Sequence, residues 1–130
     1  MRAQEHWDKA ARLEASRARS MTAEEDYEMI IWSCIHGGAQ LATIVLHQRG
    51  VTEDAHDQIH TDVPPIAGKV PPDVADYLAV LKSIETLGPR YIRGIEAINV
   101  GVVRECLASY EKLKAGAREA LEAARKAGTA

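Results

Sequence analysis

The stretch His36-Gly-Gly-Ala-Gln-Leu-Ala-Thr-Ile-Val-Leu-His-Gln-Arg-Gly50 decides the fold. It carries almost no charge and ends on a glycine, a common helix terminator. Just upstream, Tyr27, Ile31 and Cys34 join Leu41 and Val45 on one helical face, while Trp32, Ile35, Ala39, Ala42 and Leu46 share another. A helix apolar on two faces is one that others surround. Gly37, Gly38 and Ala42 strip bulk from its middle at a cost in helix propensity, which predicts close approach of another helix there. Its start is read at Thr22, because Thr22-Ala-Glu-Glu25 has the capping-box pattern. Glu24, Glu25 and Asp26 would then lie at the positive end of the helix dipole.

Three further helices follow from the same periodicity. Residues 3–19 read as an Ala- and Arg-rich first helix with Trp7, Ala10, Ala11, Leu13 and Ala18 as its modest apolar content. Most helical stability comes from packing, so such a helix needs a surface to dock on. Residues 51–71 are irregular, with Pro64, Pro65, Gly68, Pro71 and Pro72 excluding a continuous helix. Asp73 reads as the N-cap of a helix through Val74, Leu78, Leu81 and Ile84, stopped by Gly88-Pro89. Arg90 to Gly94 form a connector. A last helix starts between Ile95 and Asn99, buries Val103, Cys106, Tyr110, Leu113, Ala117 and Leu121, and frays after Arg125. The reading is one all-α domain over residues 1–130, an antiparallel bundle of four to five helices with residues 1–20 as a docked arm.

Composition agrees with that class. The 130 residues are 46% apolar and 27% charged, ordinary for a globular protein. With no Phe, the core has to be built from Leu, Ile, Val and Ala. No unbroken apolar run approaches the ~18 residues of a membrane span, and Met-Arg-Ala-Gln-Glu-His lacks the apolar segment of a secretion signal. The expectation is a cytoplasmic protein with no membrane partner, and Cys34 and Cys106 as buried thiols in preference to a disulfide. Net charge is −3 but uneven: residues 21–62 carry eight acids against one base, and residues 89–130 eight bases against five acids. Complementary faces within a bundle or across a dimer explain this best. The mixed signs on the last helix argue against a nucleic-acid surface.

Several constellations carry chemistry. His56 and His60 stand at i, i+4 with Asp54, Asp57 and Asp62 nearby, a spacing able to hold a divalent metal. The following prolines and the lack of a His-Glu-x-x-His pattern favour a solvated acidic loop, so neither a metal nor another cofactor is assigned. His36 and His47 lie eleven residues apart, on roughly one side of their helix, without a partner for a metal. Paired Glu-x-x-His motifs of di-iron bundles are missing. Ser33 and Cys34 sit mid-helix among apolar residues, where a thiol is normally inert with a raised pKa. Arg90, Tyr91 and Arg93 offer two guanidiniums beside a ring. They suit either a phosphate or carboxylate ligand or pairing with the acidic 53–62 loop.

The order of these features resembles the HEPN superfamily (higher eukaryotes and prokaryotes nucleotide-binding). Gly38-Ala-Gln-Leu-Ala-Thr-Ile-Val-Leu-His-Gln-Arg-Gly50 is similar to its Gln-Ala-Ala-Glu-x-Ala-Leu-Lys-Ala-Leu-Leu-x-x-x-Gly segment. His60-Thr-Asp62 resembles its His-Asp element, and Arg90-Tyr91 the Arg-Tyr element after its third helix. The resemblance spans residues 5–122 and implies a dimerising bundle. It also implies functions from toxin ribonuclease, through nucleotide-binding partner of a nucleotidyltransferase, to non-catalytic binding module. Ribonuclease members carry Arg-x4–6-His. Here no histidine follows Arg90 or Arg93; Asn99 stands six residues after Arg93 and can hydrogen-bond without acting as acid or base. The expectation is a non-catalytic homodimer binding a nucleotide or a nucleotidyltransferase-like protein through His60, Asp62, Arg90, Tyr91, Arg93 and Asn99. A divergent ribonuclease toxin using His60 with Arg93, and a metal-binding protein using His56, His60 and Asp62, are the alternatives.

Overall fold

The computed structural model describes residues 2–20, 26–52, 70–94 and 96–130. Among these residues the protein is all-helical: α1 (Ala3–Ser20), α2 (Tyr27–Gln48), α3 (Pro72–Glu85), a π-helical turn (Gly88–Ile92) and α4 (Val100–Lys126). The four α-helices pack together around α2, which touches each of the others and the π turn. The core is aliphatic as composition requires, with Ile31, Cys34, Leu41, Ile44, Ile84, Val103, Leu113 and Ala117 at its centre. The whole predicted stripe of α4 is buried, joined by Ala120 and Ala124.

The glycine pair in α2 does what its position predicts, inside the same chain. A Cβ on Gly37 would stand 2.9 Å from the Tyr110 hydroxyl of α4, and one on Gly38 would stand 3.1 Å from Leu113 and 3.4 Å from Leu81. Removing bulk here lets α3 and α4 close on α2. Gly116 plays the reciprocal part in α4 under the Tyr77 ring, whose hydroxyl donates to the Leu113 carbonyl at 2.7 Å. A second small cluster of Leu46, Val51 and Val74 closes the far end of α2. There Gly50 turns the chain at φ 71°, a conformation glycine adopts without penalty.

Several boundaries differ from the sequence reading. Helix α2 begins at Tyr27, not Thr22: Asp26 precedes it with a non-helical backbone and no side-chain cap. Thr22 to Glu25 lie outside the described residues, as do His56, His60 and Asp62. Helix α3 begins one residue before the expected cap. Pro71 is the N-cap and Pro72 occupies the first turn, where its fixed φ suits the helix and its missing N–H costs nothing. Asp73, now inside that turn, pairs with Arg49 at 2.5 Å and is held below the usual carboxylate range by that hydrogen bond. The expected connector after α3 is itself helical, as the π turn.

Helix α1 docks along α2 through Ala10 and half-buried Trp7, and its polar side chains do the rest. Lys114 reaches Glu14 at 3.0 Å, Arg17 donates to the Ser33 hydroxyl at 2.9 Å, and Arg125 donates to Gln4 at 2.8 Å. His6 is buried, with its Nδ1 2.6 Å from Gln40 Oε1 and its ring edge-on to His47. With 22 residues and a mean hydropathy of 1.5 over its most apolar part, α2 is long and apolar enough to cross a bilayer by length and composition alone, although no unbroken apolar run in it reaches that length. Here 61% of that part is buried inside the bundle, the environment of a core helix.

Candidate functional site

Of the six residues expected to form a site, four sit in one segment between α3 and α4. Pro89 lacks an N–H, and the π turn closes with the Arg93 amide donating to the Gly88 carbonyl at 2.9 Å. Turns of this kind recur at functional positions. Tyr91 points inward and is 8% exposed, so it belongs to the core more than to a surface. The Arg90 guanidinium lies 5.1 Å from the Tyr91 ring centre and its Nε donates to Glu96 at 2.8 Å. Arg90 therefore pairs within its own connector; any contact to the 53–62 loop lies outside the described residues. Both partners are more than half exposed, so the pair adds little stability. Asn99 caps α4, its side-chain oxygen accepting from the Val102 amide at 3.1 Å. Arg93 stands exposed on the rim. His60 and Asp62 lie outside the described residues.

Beneath the turn, Ser83, Leu87, Arg90, Tyr91 and Glu105 line a cleft of about 190 Å³. Small-molecule pockets run to roughly 300–1,000 Å³, so this one is too small to enclose a nucleotide. A ligand meeting these arginines would lie on the surface.

That surface continues onto α2. Met29, Trp32 and His36, at i, i+3 and i+7, form its outward stripe, and Met29 is 51% and Trp32 43% exposed. Trp32 and His36 stack with ring centres 4.2 Å apart. Ile35 lies beside the stripe, and a Cβ on Gly88 would stand 3.4 Å from its Cδ1, which sets the stripe next to the π turn. At the other end Met29 and Glu28 share a shallow groove with Glu96 and Ile98. The second apolar face of α2 is thus split: Ala42 and Leu46 are buried under neighbours, while Trp32 is not.

A second set of polar groups was not anticipated. Between α1, α2 and α4 lie Glu14, Arg17, Ser33, Cys34, Cys106 and Tyr110. Cys106 behaves as a buried thiol should, its pKa raised by the Cys34 sulfur and by burial. Cys34 departs from expectation. Its hydrogen bond with Cys106, then the Arg17 guanidinium and the Ser33 hydroxyl, hold it below the ordinary thiol value against the opposing effect of burial. Burial and the nearby Glu14 carboxylate push the Tyr110 hydroxyl up. Compared with family models, curated proteins and solved structures, the chain matches none of them.

Proposed function

We propose that the protein is a non-catalytic, HEPN-like interaction module that pairs with a second copy of itself through the outward stripe of α2. One observation carries this reading: two large apolar side chains, Met29 and Trp32, stand about half exposed side by side on the most apolar helix of the bundle. Trp is the residue most enriched among those that dominate binding energy at interfaces.

Charge selects a second copy as the occupant. Exposed Glu28 lies four residues before Trp32 and exposed His36 four residues after it. An antiparallel crossing of two α2 helices at Trp32 sets the two Trp32 side chains at the centre, each Glu28 against the other copy's His36, and each Met29 against the other copy's Ile35. A surface that is its own complement under a two-fold rotation is what a symmetric dimer requires. The π turns would flank this interface, leaving each exposed Arg93 on its rim to receive an anionic ligand or an acidic protein segment, with Arg90 held by Glu96.

The test is sedimentation of the wild-type chain and of Trp32→Lys over a wide concentration range. The wild type should pass from monomer to dimer while Trp32→Lys stays monomeric with an unchanged circular dichroism spectrum. A wild type that remains monomeric throughout would contradict the proposal.

A further inference from the structure

At the end of the bundle where α1 starts and α2 and α4 finish, the three helices leave a cavity of about 540 Å³. Its nearest α2 floor residue, Ile44, lies about 18 Å along the helix from Trp32, so the interface leaves the cavity open. The volume falls within the roughly 300–1,000 Å³ of small-molecule sites. The floor is apolar: Ile44 of α2 and Ala124 of α4 are 1% and 4% exposed. Ala3, Ala123 and Ala127 continue the wall. An alanine side chain ends at Cβ, and these four alanines from two helices leave the space between them unfilled.

Polar groups stand at the mouth. Arg2 and Gln48 are exposed there, and His47 stands beside them with its Nδ1 2.7 Å from the Thr52 hydroxyl. The Arg2 guanidinium is held in place, its Nη2 donating to the Gly128 carbonyl at 3.2 Å. The carboxylate of Glu5 accepts from the Arg2 backbone amide at 2.7 Å and is no part of the lining. A guanidinium offers five N–H groups, so one bond to Gly128 leaves an edge for a second acceptor. Among the described residues no acidic side chain lines the cavity. One cation, no acid and an apolar floor select the ligand. A cationic ligand would meet Arg2 unopposed, a nucleotide would bring several charges to one guanidinium, and a neutral hydrocarbon would leave the guanidinium unused.

We propose that this cavity binds a small monocarboxylate with an apolar chain, its carboxylate on the Arg2 guanidinium and its chain on Ile44 and Ala124. The carboxylate takes two N–H groups of Arg2 in the fork geometry that the two planar groups share, with the Gln48 amide beside it. The chain runs inward over the alanines. Each methylene fully removed from water then contributes up to about four-fold in affinity, and the charge-assisted hydrogen bonds at least about ten-fold.

The experiment is a titration of the full chain at neutral pH with hexanoate, butanoate, acetate and hexan-1-ol, followed through the backbone amide resonances. Hexanoate should shift the amides of Ala3, Gln48, Ala127 and Thr129 and leave those of Trp32 and Arg93 in place. Butanoate should bind several-fold more weakly and acetate not measurably. Hexan-1-ol, which keeps the chain and loses the charge, should bind at least about ten-fold more weakly than hexanoate. Arg2→Gln should lose at least about ten-fold in hexanoate affinity while its amide spectrum remains that of the folded chain. The proposal is overturned if millimolar hexanoate moves no amide or moves amides elsewhere, or if acetate, hexan-1-ol or Arg2→Gln binds as tightly as the pairing of wild type with hexanoate. The wild-type map needs no variant to fold. It reads the cavity whether or not the chain dimerises, so its failure is separate from that of the interface.

Discussion

Substituting alanine at Gly37 tests the packing that organises the bundle, because two opposing effects of known size meet there. Replacing glycine in a helix interior gains about 1 kcal/mol of helix propensity. Against this, the new Cβ would stand 2.9 Å from the Tyr110 hydroxyl oxygen and 3.0 Å from its Cε2. Tyr110 is fully buried and cannot swing aside. Forcing an extra carbon into a packed core costs about 1–3 kcal/mol, so Gly37→Ala should be destabilised by about 1 kcal/mol net. Gly38→Ala is the control in the same turn. Its Cβ would meet only the methyl ends of Leu113 and Leu81, at 3.1 and 3.4 Å. A shift of a few tenths of an ångström relieves them, so that variant should match the wild type or exceed it. Urea melts at constant m-value read the difference as a shift in midpoint. Because the closest atom is the hydroxyl oxygen, Tyr110→Phe should recover part of the loss in the Gly37→Ala background, with a coupling of at least about 0.5 kcal/mol. Equal stability of the two alanine variants, or no coupling to Tyr110, would refute the reasoning.

Asn99→Ala removes the acceptor of the Val102 amide and should cost about 1 kcal/mol in thermal or chemical melts, whereas Asn99→Asp should retain most of it. Alkali should destabilise the fold. Burial raises the pKa of both Tyr77 and Tyr110. A group raised on folding contributes stability that is intact below the unfolded value, about 10 for tyrosine, and is lost as pH rises beyond it toward the folded value. Urea midpoints should therefore fall steeply above about pH 10, and less steeply in Tyr110→Phe, which has lost one of the two groups.

Much of the fold was legible in the sequence because helical periodicity reports which residues share a face. The α4 stripe from Val103 to Leu121 and the glycine pair of α2 were both read correctly from spacing alone. Periodicity does not report which faces will find a neighbour. Trp32 and Leu46 lie on the same predicted face, yet Leu46 is packed against Val74 of α3 while Trp32 stays exposed. A local capping signal misleads at the start of α3. Asp73 looks like a cap, but the fixed φ of Pro72 starts the helix earlier. Thr22 to Glu25 match the capping-box pattern but lie outside the described residues, and the described α2 starts after Asp26. The connector reads as irregular from its sequence and is a π turn, closed by the Arg93 amide donating to the Gly88 carbonyl. The cluster around Cys34 had no sequence signal: its members come from three helices, with Glu14 and Lys114 a hundred positions apart. Ser33 and Cys34 read as inert in the sequence because Arg17 and Cys106, which alter them, are neighbours only in space.

The central claim is that the exposed stripe of α2 is an interface between two copies of this chain. Sedimentation equilibrium of wild type and Trp32→Lys, side by side, tests it most directly. A tryptophan at the centre of such an interface contributes at least about 2 kcal/mol, so its loss should weaken self-association by roughly thirty-fold or more. The account predicts a concentration-dependent wild-type dimer that Trp32→Lys abolishes without altering helix content. A wild type that stays monomeric, or a Trp32→Lys dimer as tight as the wild type, would contradict it.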